Sequence, residues 1–117
     1  MSNSDSILLS VRHAIGGDIN GSAFDADLIM HINTVFNILQ QMGIGPSTNF
    51  TIQNEESEWT DFCGEDELPM VKTYMYLKVR LLFDPPSSSF VLDSMRNQAE
   101  EMEWRMNVEQ DPHWKES

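Results

Sequence analysis

The amino-acid sequence predicts a mainly α-helical fold, a compact four-helix bundle with a short irregular, β-like acidic loop between helices 2 and 3. Apolar residues recur at spacings of three and four in four segments, as they do along one face of a helix. Glycine or proline signals end three of these segments, and the stretch between the second and third breaks the pattern. With 117 residues, 40% of them hydrophobic, the chain suits one helical domain over 1–108 and a flexible C-terminal tail over 109–117.

The first predicted helix runs from Ser4 or Asp5 to Ile15. Residues at helical spacing form its apolar face: Leu8, Val11 and Ile15. Gly16 and Gly17 follow at once and predict the end of the helix, because glycine adopts the left-handed conformation of a C-terminal cap without steric cost.

The second helix has clear signals at both ends. Asp25 is a preferred N-cap type, and Phe24 and Ile29 occupy the N′ and N4 positions of a hydrophobic staple. The apolar stripe repeats at spacings of four, three, four and three: Leu28, Ile32, Val35, Leu39 and Met42. Gly43 is the predicted C′ residue, and Ile44 is expected to fold back on the last turn, as in a Schellman motif.

The segment from Ile44 to Glu67 lacks helical periodicity. Residues 50–53 indicate a short strand and residues 59–62 a helical turn, and the aromatic residues of both are expected to pin the loop onto the core. Seven acids crowd into thirteen positions without one lysine or arginine: Glu55, Glu56, Glu58, Asp61, Glu65, Asp66 and Glu67. Two interpretations stay open, a solvated acidic loop and a surface that lies near DNA without binding it.

The third helix is predicted to begin near Leu68 and Pro69, since proline is tolerated in a first helical turn. Apolar residues cover more than half of its circumference, which indicates the central helix of the bundle: Met70, Val71, Tyr74, Met75, Leu77, Leu81 and Leu82. Lys72 and Arg80 mark its exposed side.

The sequence DPPSSS, residues 84–89, predicts a rigid turn between the third and fourth helices. Pro85 lacks a backbone donor and disfavours the helical conformation of Asp84, so the third helix must end here. Pro86 stiffens the turn. Ser88 or Ser89 can cap the next helix by accepting a backbone N–H, an interaction worth about 1 kcal/mol.

The fourth helix carries an apolar stripe at spacings of three and four: Leu92, Met95, Ala99, Met102 and Met106. Trp104 lies off this stripe, and Glu101 and Arg105 are spaced for an i,i+4 ion pair. After Asn107 comes a polar tail that contains Trp114 and is expected to fray unless a partner binds it.

Composition excludes several classes of function. Nineteen acidic and seven basic side chains give a net charge of −12, which opposes direct binding of nucleic acid. No apolar run approaches the roughly 18 residues of a membrane span, and the N-terminus lacks the features of a signal peptide. A single cysteine, Cys63, excludes an intramolecular disulfide and suits a reducing compartment.

The sequence predicts no catalytic, cofactor or metal site. Cys63 lies in the acidic loop, where its pKa is expected to rise and its nucleophilicity to fall. The segment 18–22 resembles the start of a calcium loop, but Ala23 and Ile29 stand where glycine and glutamate are required. Three histidines lack metal-binding spacing (His13, His31 and His113), and three clustered glutamates are expected on a solvated helix face (Glu100, Glu101 and Glu103).

Three stretches of the chain carry a resemblance to a known family. They are VKTYMYLKVRLLFDPPSSSFVLDSMRNQAEEMEWRMNV at 71–108, FDADLIMHINTVFNILQQMGIG at 24–45 and SEWTDFCGED at 57–66. Over about residues 5–108 the sequence resembles the head–tail connector, or head-completion adaptor, family of tailed bacteriophages. The combination of YLKVRLLFDPP with the EWR helix is the most specific part of this resemblance.

The resemblance implies a structural, non-enzymatic virion protein, made in the bacterial cytoplasm and placed at the head–tail interface. It implies a dodecameric ring under the portal protein that extends the DNA channel, helps to retain packaged DNA and offers a platform for a stopper or tail-completion protein. DNA would pass through without specific binding, and no membrane is involved. Related connectors dock on the portal largely through the C-terminal helix and tail, so the docking candidates are Glu101, Trp104, Arg105, Met106 and Trp114.

A ring also requires two different contact patches on each subunit. Candidates for the subunit interface are residues off the main apolar stripes of the second and third helices: Met30, Ile38, Lys72 and Arg80. Two alternatives stay open. An acidic DNA-mimic inhibitor would compete with DNA for a basic cleft, although these acids cluster in one loop and near the C-terminus. A small helical scaffold unrelated to phage would require the resemblance to be coincidental.

Overall fold

The computed structural model describes residues 6–15 and 24–110. In these ranges it contains four α-helices, α1 (Ile7–Ile15), α2 (Asp25–Gln41), α3 (Leu68–Phe83) and α4 (Ser89–Gln110), and one short 3₁₀ helix, Trp59–Asp61. The described residues form no strand beyond a single isolated bridge between Ser6 and Glu58. The predicted mainly helical, four-helix architecture is therefore confirmed.

Helix α1 begins at Ile7, because Ser6 caps it. The Ser6 hydroxyl accepts the backbone N–H of Leu9 at 3.3 Å and donates to the Glu55 carbonyl at 2.7 Å, which ties the helix to the acidic loop. Ser4 and Asp5, the predicted starts of this helix, lie outside the described residues. The predicted apolar face is buried, together with one residue from the first turn: Ile7, Leu8, Val11 and Ile15.

The predicted N-cap of α2 is wrong. Phe24 occupies the cap position without a side-chain hydrogen bond, and Asp25 is the first helical residue. The Asp25 carboxylate instead pairs with Arg12 of α1 at 2.7 Å, and both side chains are largely buried. A buried carboxylate beside a guanidinium gains more from this charged bond than from one backbone N–H. The Phe24 ring lies edge-on to Phe83 at 5.7 Å, so it connects α2 to the end of α3.

The predicted C-terminal cap of α2 is confirmed. Gly43 adopts a φ of 89°, its N–H bonds to the Gln40 carbonyl at 3.0 Å, and the Ile44 N–H bonds to the Leu39 carbonyl at 3.0 Å. This is the double hydrogen-bond pattern of a Schellman motif. Ile44 is fully buried as a result, so the chain leaves the helix towards the core.

The predicted strand at residues 50–53 is wrong, since its backbone bonds to side chains of α2 and not to another strand. The Asn33 carboxamide donates to the Ile52 carbonyl at 3.0 Å and accepts the Ile52 N–H at 2.8 Å. The Gln40 carboxamide accepts the Phe50 N–H and donates to the carbonyls of residues 46 and 48. Two amide side chains thus satisfy backbone groups that a neighbouring strand would satisfy in a sheet.

The aromatic residues do pin the loop to the core, as predicted. The Phe36 ring of α2 lies 5.0 Å from Phe50, 6.2 Å from Trp59 and 4.4 Å from Phe62, measured between centroids. The Trp59 indole also donates to the Ser10 hydroxyl of α1 at 2.8 Å. The predicted helical turn at residues 59–62 is present as the 3₁₀ helix.

Helix α3 contacts each of the other three helices and is the central helix, as predicted. Its buried residues are Val71, Tyr74, Met75 and Val79. Lys72 and Arg80, expected on its exposed side, are only half-exposed, because the Lys72 ammonium lies over the Trp59 ring and the Arg80 guanidinium bonds back to the Asp84 carbonyl. The predicted turn is confirmed: α3 ends at Phe83 and α4 starts at Ser89, directly after the capping residue Ser88.

Candidate docking surfaces on the third and fourth helices

Helix α4 is the most exposed of the described helices. Among its described side chains only Ala99 and Met106 are buried, although the helix has 22 residues and is therefore about 33 Å long. Phe90 and Trp104 are 81% and 64% exposed, the highest values for large apolar side chains in the described ranges. They lie about 21 Å apart along the axis, so α4 offers two separate apolar contact points to partners.

A polar cluster fastens α4 to α3 near its C-terminal half. The Tyr74 hydroxyl donates to the Glu103 carboxylate at 2.5 Å, and the Lys78 ammonium lies 3.4 Å from the same oxygen. Burial raises the pKa of Tyr74, and the hydrogen bond to Glu103 and its negative charge raise it further. Glu103 was expected on a solvated face, but it is half-buried and links the two helices.

The predicted docking residues on α4 fall into two groups. Trp104, Glu101 and Arg105 are exposed near one end of the helix, and the predicted i,i+4 pair is present, with the Arg105 guanidinium 2.8 Å from the Glu101 carboxylate. Met106 is fully buried in the core, because its position on the apolar stripe turns it towards the other helices, so it is not available on the surface. Trp114 lies outside the described residues.

The predicted subunit-interface residues do not form one continuous patch. Met30 is 57% exposed on α2, whereas Ile38 is half-buried and packs against the core. Lys72 lies over Trp59 at 5.8 Å from the ring centroid, and Arg80 lines a groove between α1, α3 and α4. Of these four residues Met30 is the one exposed side chain, and the other three are half-exposed.

The groove lies between the end of α1, one face of α3 and the flank of α4, and it encloses about 480 Å³. Apolar side chains form much of its lining, among them Ile15, Leu77, Met95 and Met102. Arg80, Glu101 and Arg105 also line it, so the charges at the groove are net positive. Sequence reasoning missed this site. The sequence did contain one indication of the groove. The apolar residues of α3 extend around more of its circumference than the three neighbouring helices can cover.

The acidic loop is rigidly attached at its base but presents its charges to solvent. Glu58 and Asp61 form a reciprocal capping box around the 3₁₀ helix. Of the seven acids, only Glu67 is half-buried, and the other six side chains are exposed. The loop is therefore an ordered, strongly negative surface.

The described residues offer little for catalysis or metal binding. Burial raises the pKa of the Cys63 thiol from 9.0 to about 11, and the nearby Glu67 carboxylate adds to this, as the sequence predicted. The region spanned by residues 6–15 and 24–110 holds no group of three or more histidine, cysteine, aspartate or glutamate side chains placed to bind a metal ion. The segment 18–22 and His113 lie outside it.

Comparison with known proteins identifies the family of this helical chain. Residues 7–113 match the model of the family described as "Phage connector protein". The match covers nearly the whole sequence, and the chain therefore belongs to that family, as its resemblance to head–tail connectors suggested. No curated protein and no solved structure matches significantly.

Membership of the family identifies a virion component that interacts with the portal and other virion proteins. No helix in the described ranges is both long enough and apolar enough to cross a bilayer.

Proposed function

We propose that this protein is a structural, non-enzymatic head–tail connector. Copies assemble as a ring, dodecameric as in related connectors, beneath the portal of a DNA-filled head. The ring extends the DNA channel, helps to retain the packaged genome and supports a stopper or tail-completion protein. The observation that carries the proposal is the match of residues 7–113 to the phage connector family, together with a helix that keeps its largest apolar side chains exposed.

The portal-docking surface in this proposal is the C-terminal half of α4. Trp104 is 64% exposed, and the exposed pair of Glu101 and Arg105 lies within one turn of it. Tryptophan and arginine are both enriched among the few residues that dominate the energy of a protein interface. The link from Tyr74 to Glu103 holds this half of the helix against α3, so Trp104 is presented on a supported surface.

The charge of the chain supports passage of DNA without capture. Net charge is −12, and six of the seven acids in the loop are exposed. Repeated around a ring, these carboxylates form a negative wall that binds no phosphate, so packaged DNA slides past it.

Portal binding by matched variants tests the proposal. Purified portal is immobilised, and the chain is added below saturation as wild type, Trp104→Ala or Leu82→Ala. Loss of the Trp104 side chain is expected to weaken binding about tenfold or more, as for a central interface residue. Leu82 is also an exposed apolar residue but lies on α3, so its variant is the control and should bind portal like wild type.

Two outcomes would contradict the proposal. If wild-type protein does not bind portal and heads made without it keep their DNA, the connector role is wrong. If both variants bind as well as wild type, portal docking does not use this face of α4.

A further inference from the structure

We infer that the uncharged surface formed by α2 and the loop after it is where one copy of this chain contacts the next. This inference rests on the self-association in the proposed function, and it names the surface that a neighbouring copy covers. From Leu28 to Asn54 the sequence has 27 residues without one aspartate, glutamate, lysine or arginine. The next longest such run is eight residues, 85–92, in a chain of which 22% is charged.

The exposed side chains of this segment form one continuous surface. On α2 they recur at positions i, i+4, i+7 and i+11, on the side of the helix opposite its buried stripe. At the C-terminal end of α2, Asn37 and Gln41 line a depression of about 400 Å³ together with Ser47 and Asn49 of the loop. We call this surface the neutral face, and its exposed residues are Met30, Thr34, Asn37, Gln41, Ser47 and Asn49.

Hydrogen bonds beneath the neutral face hold it in shape. The Gln40 carboxamide donates to the Pro46 carbonyl at 2.9 Å and to the Thr48 carbonyl at 2.6 Å, which fixes the loop against α2. The Thr34 hydroxyl donates to the Met30 carbonyl at 2.9 Å. A surface that is ordered before it binds loses less conformational entropy when a partner covers it.

The absence of charge indicates a partner with the same sign of charge as this chain. Each copy has a net charge of −12, and copies that met through the acidic loop would bring exposed carboxylates together. A basic partner would gain by contacting those carboxylates, so an uncharged face offers it no advantage. The partner that gains most from the neutral face is therefore another copy of this acidic chain. Charged residues are likewise depleted at the centres of protein interfaces in general.

A neighbour on the neutral face leaves the proposed portal-docking surface free. Helices α2 and α4 both pack against α3, and the neutral face lies on the side of α2 that points away from the core. Met30, 57% exposed, supplies an apolar contact, and the other side chains supply uncharged hydrogen-bonding groups. The neutral face is thus one of the two patches that a ring subunit needs. Because it is mostly polar, copies held side by side on a portal should form the contact most readily.

Photo-cross-linking identifies what covers the neutral face. In a Cys63→Ser background, Ser47→Cys is labelled with benzophenone maleimide and illuminated, both free in solution and bound to purified portal. Adducts with the mass of two copies are expected from the portal-bound sample. The control carries the same label at Thr60→Cys, which is exposed in the acidic loop and should give little copy–copy adduct.

Added charge provides a second readout. Asn37→Asp with Gln41→Glu keeps the shape of the neutral face but places two negative charges in the contact, so the yield of copy–copy adduct should fall about tenfold. The control makes the same two changes on α4, Asn97→Asp with Gln98→Glu, where both residues are also exposed, and should keep the wild-type yield. Equal yields from the two double variants would overturn the contact.

The failures of the two proposals are distinguishable. Copies that bind portal but form no copy–copy adduct through position 47, or form an adduct with portal there instead, overturn this contact and leave the connector role intact. Copies that form the adduct in solution but do not bind portal support the contact and contradict the connector role. Copies that neither bind portal nor cross-link to one another overturn both.

Discussion

The acidic loop and α4 are both polar in composition, yet they differ in how firmly they are attached to the core. The loop carries seven acids, but Trp59, Phe62 and Ile52 of the same segment are almost completely buried, and amide side chains of α2 hold its backbone. Helix α4 has regular secondary structure throughout but buries only Ala99 and Met106 among its described side chains. The irregular loop is thus more firmly attached to the core than α4 is. Helix α4 keeps more of its surface exposed for partners to cover.

The largest expected effect comes from removing the anchor of the loop. Trp59→Ala deletes a side chain that is 1% exposed, contacts Phe36 and bonds to Ser10, so the free energy of unfolding should fall by about 3–5 kcal/mol. Trp104→Ala removes the same side chain from α4 and should change it by less than about 0.5 kcal/mol. Urea denaturation of both variants checks this. Similar losses would contradict the contrast between the two regions.

Alanine substitutions at Gly45 and at Gly64 test how tightly the loop is packed. Gly45 has a φ of +92°, and a Cβ there would lie 2.5 Å from the buried Phe62 ring, so Gly45→Ala should destabilise the protein by about 2–4 kcal/mol. Gly64 meets nothing within 4 Å, so Gly64→Ala should be neutral or stabilising by up to about 1 kcal/mol. Thermal unfolding compares them, and equal melting temperatures would refute close packing at Gly45.

Substitution of Asn33 tests whether its side chain satisfies the backbone groups of Ile52 in place of a neighbouring strand. Asn33→Ala leaves the N–H and C=O of buried Ile52 without their partners and should cost about 2 kcal/mol. Asn37→Ala, one turn further along α2 and exposed, should cost less than about 0.5 kcal/mol. Hydrogen exchange at the Ile52 amide should accelerate only in the first variant. An unchanged exchange rate there would count against the Asn33 bonds.

The smallest expected effect concerns the attachment of α4. Tyr74→Phe removes the bond to Glu103 and should cost about 1 kcal/mol near neutral pH, whereas Tyr76→Phe serves as the control. Because the folded-state pKa of Tyr74 is raised above its ordinary value of 10.0, its contribution is fully present below pH 10 and is lost as pH rises further. The stability difference between wild type and Tyr74→Phe should therefore shrink above pH 10. A difference that stays constant would contradict the raised pKa.

Local signals predicted the parts of the fold that depend on neighbouring residues. Gly43 after an apolar stripe predicted the Schellman ending, and Pro85 followed by serines predicted the turn into α4. These features follow from backbone sterics and short-range hydrogen bonds, which a single sequence contains. The apolar stripe of α4 likewise predicted the burial of Ala99, whereas Met106 of the same stripe was expected to dock on the portal and is buried instead.

Features that depend on residues distant in sequence could not be predicted in this way. Asp25 is a residue type preferred at helix N-caps, but its carboxylate pairs with Arg12, which lies thirteen positions earlier in the sequence. Asn33 lies on a helix in a pattern typical of a solvated face, and only the folded position of Ile52 shows its role. The groove and the link from Glu103 to Tyr74 depend on how α4 crosses α3, and no local spacing specifies that crossing.

Trp59 is buried and Trp104 is exposed, so their intrinsic fluorescence can report separately on two regions of the protein. Trp59, enclosed and bonded to Ser10, should emit at short wavelength and resist quenching by acrylamide until the chain unfolds. Trp104 should emit at longer wavelength and be quenched readily in the free protein. With Trp114→Phe removing the third indole, one unlabelled sample can report folding through Trp59 and coverage of α4 through Trp104.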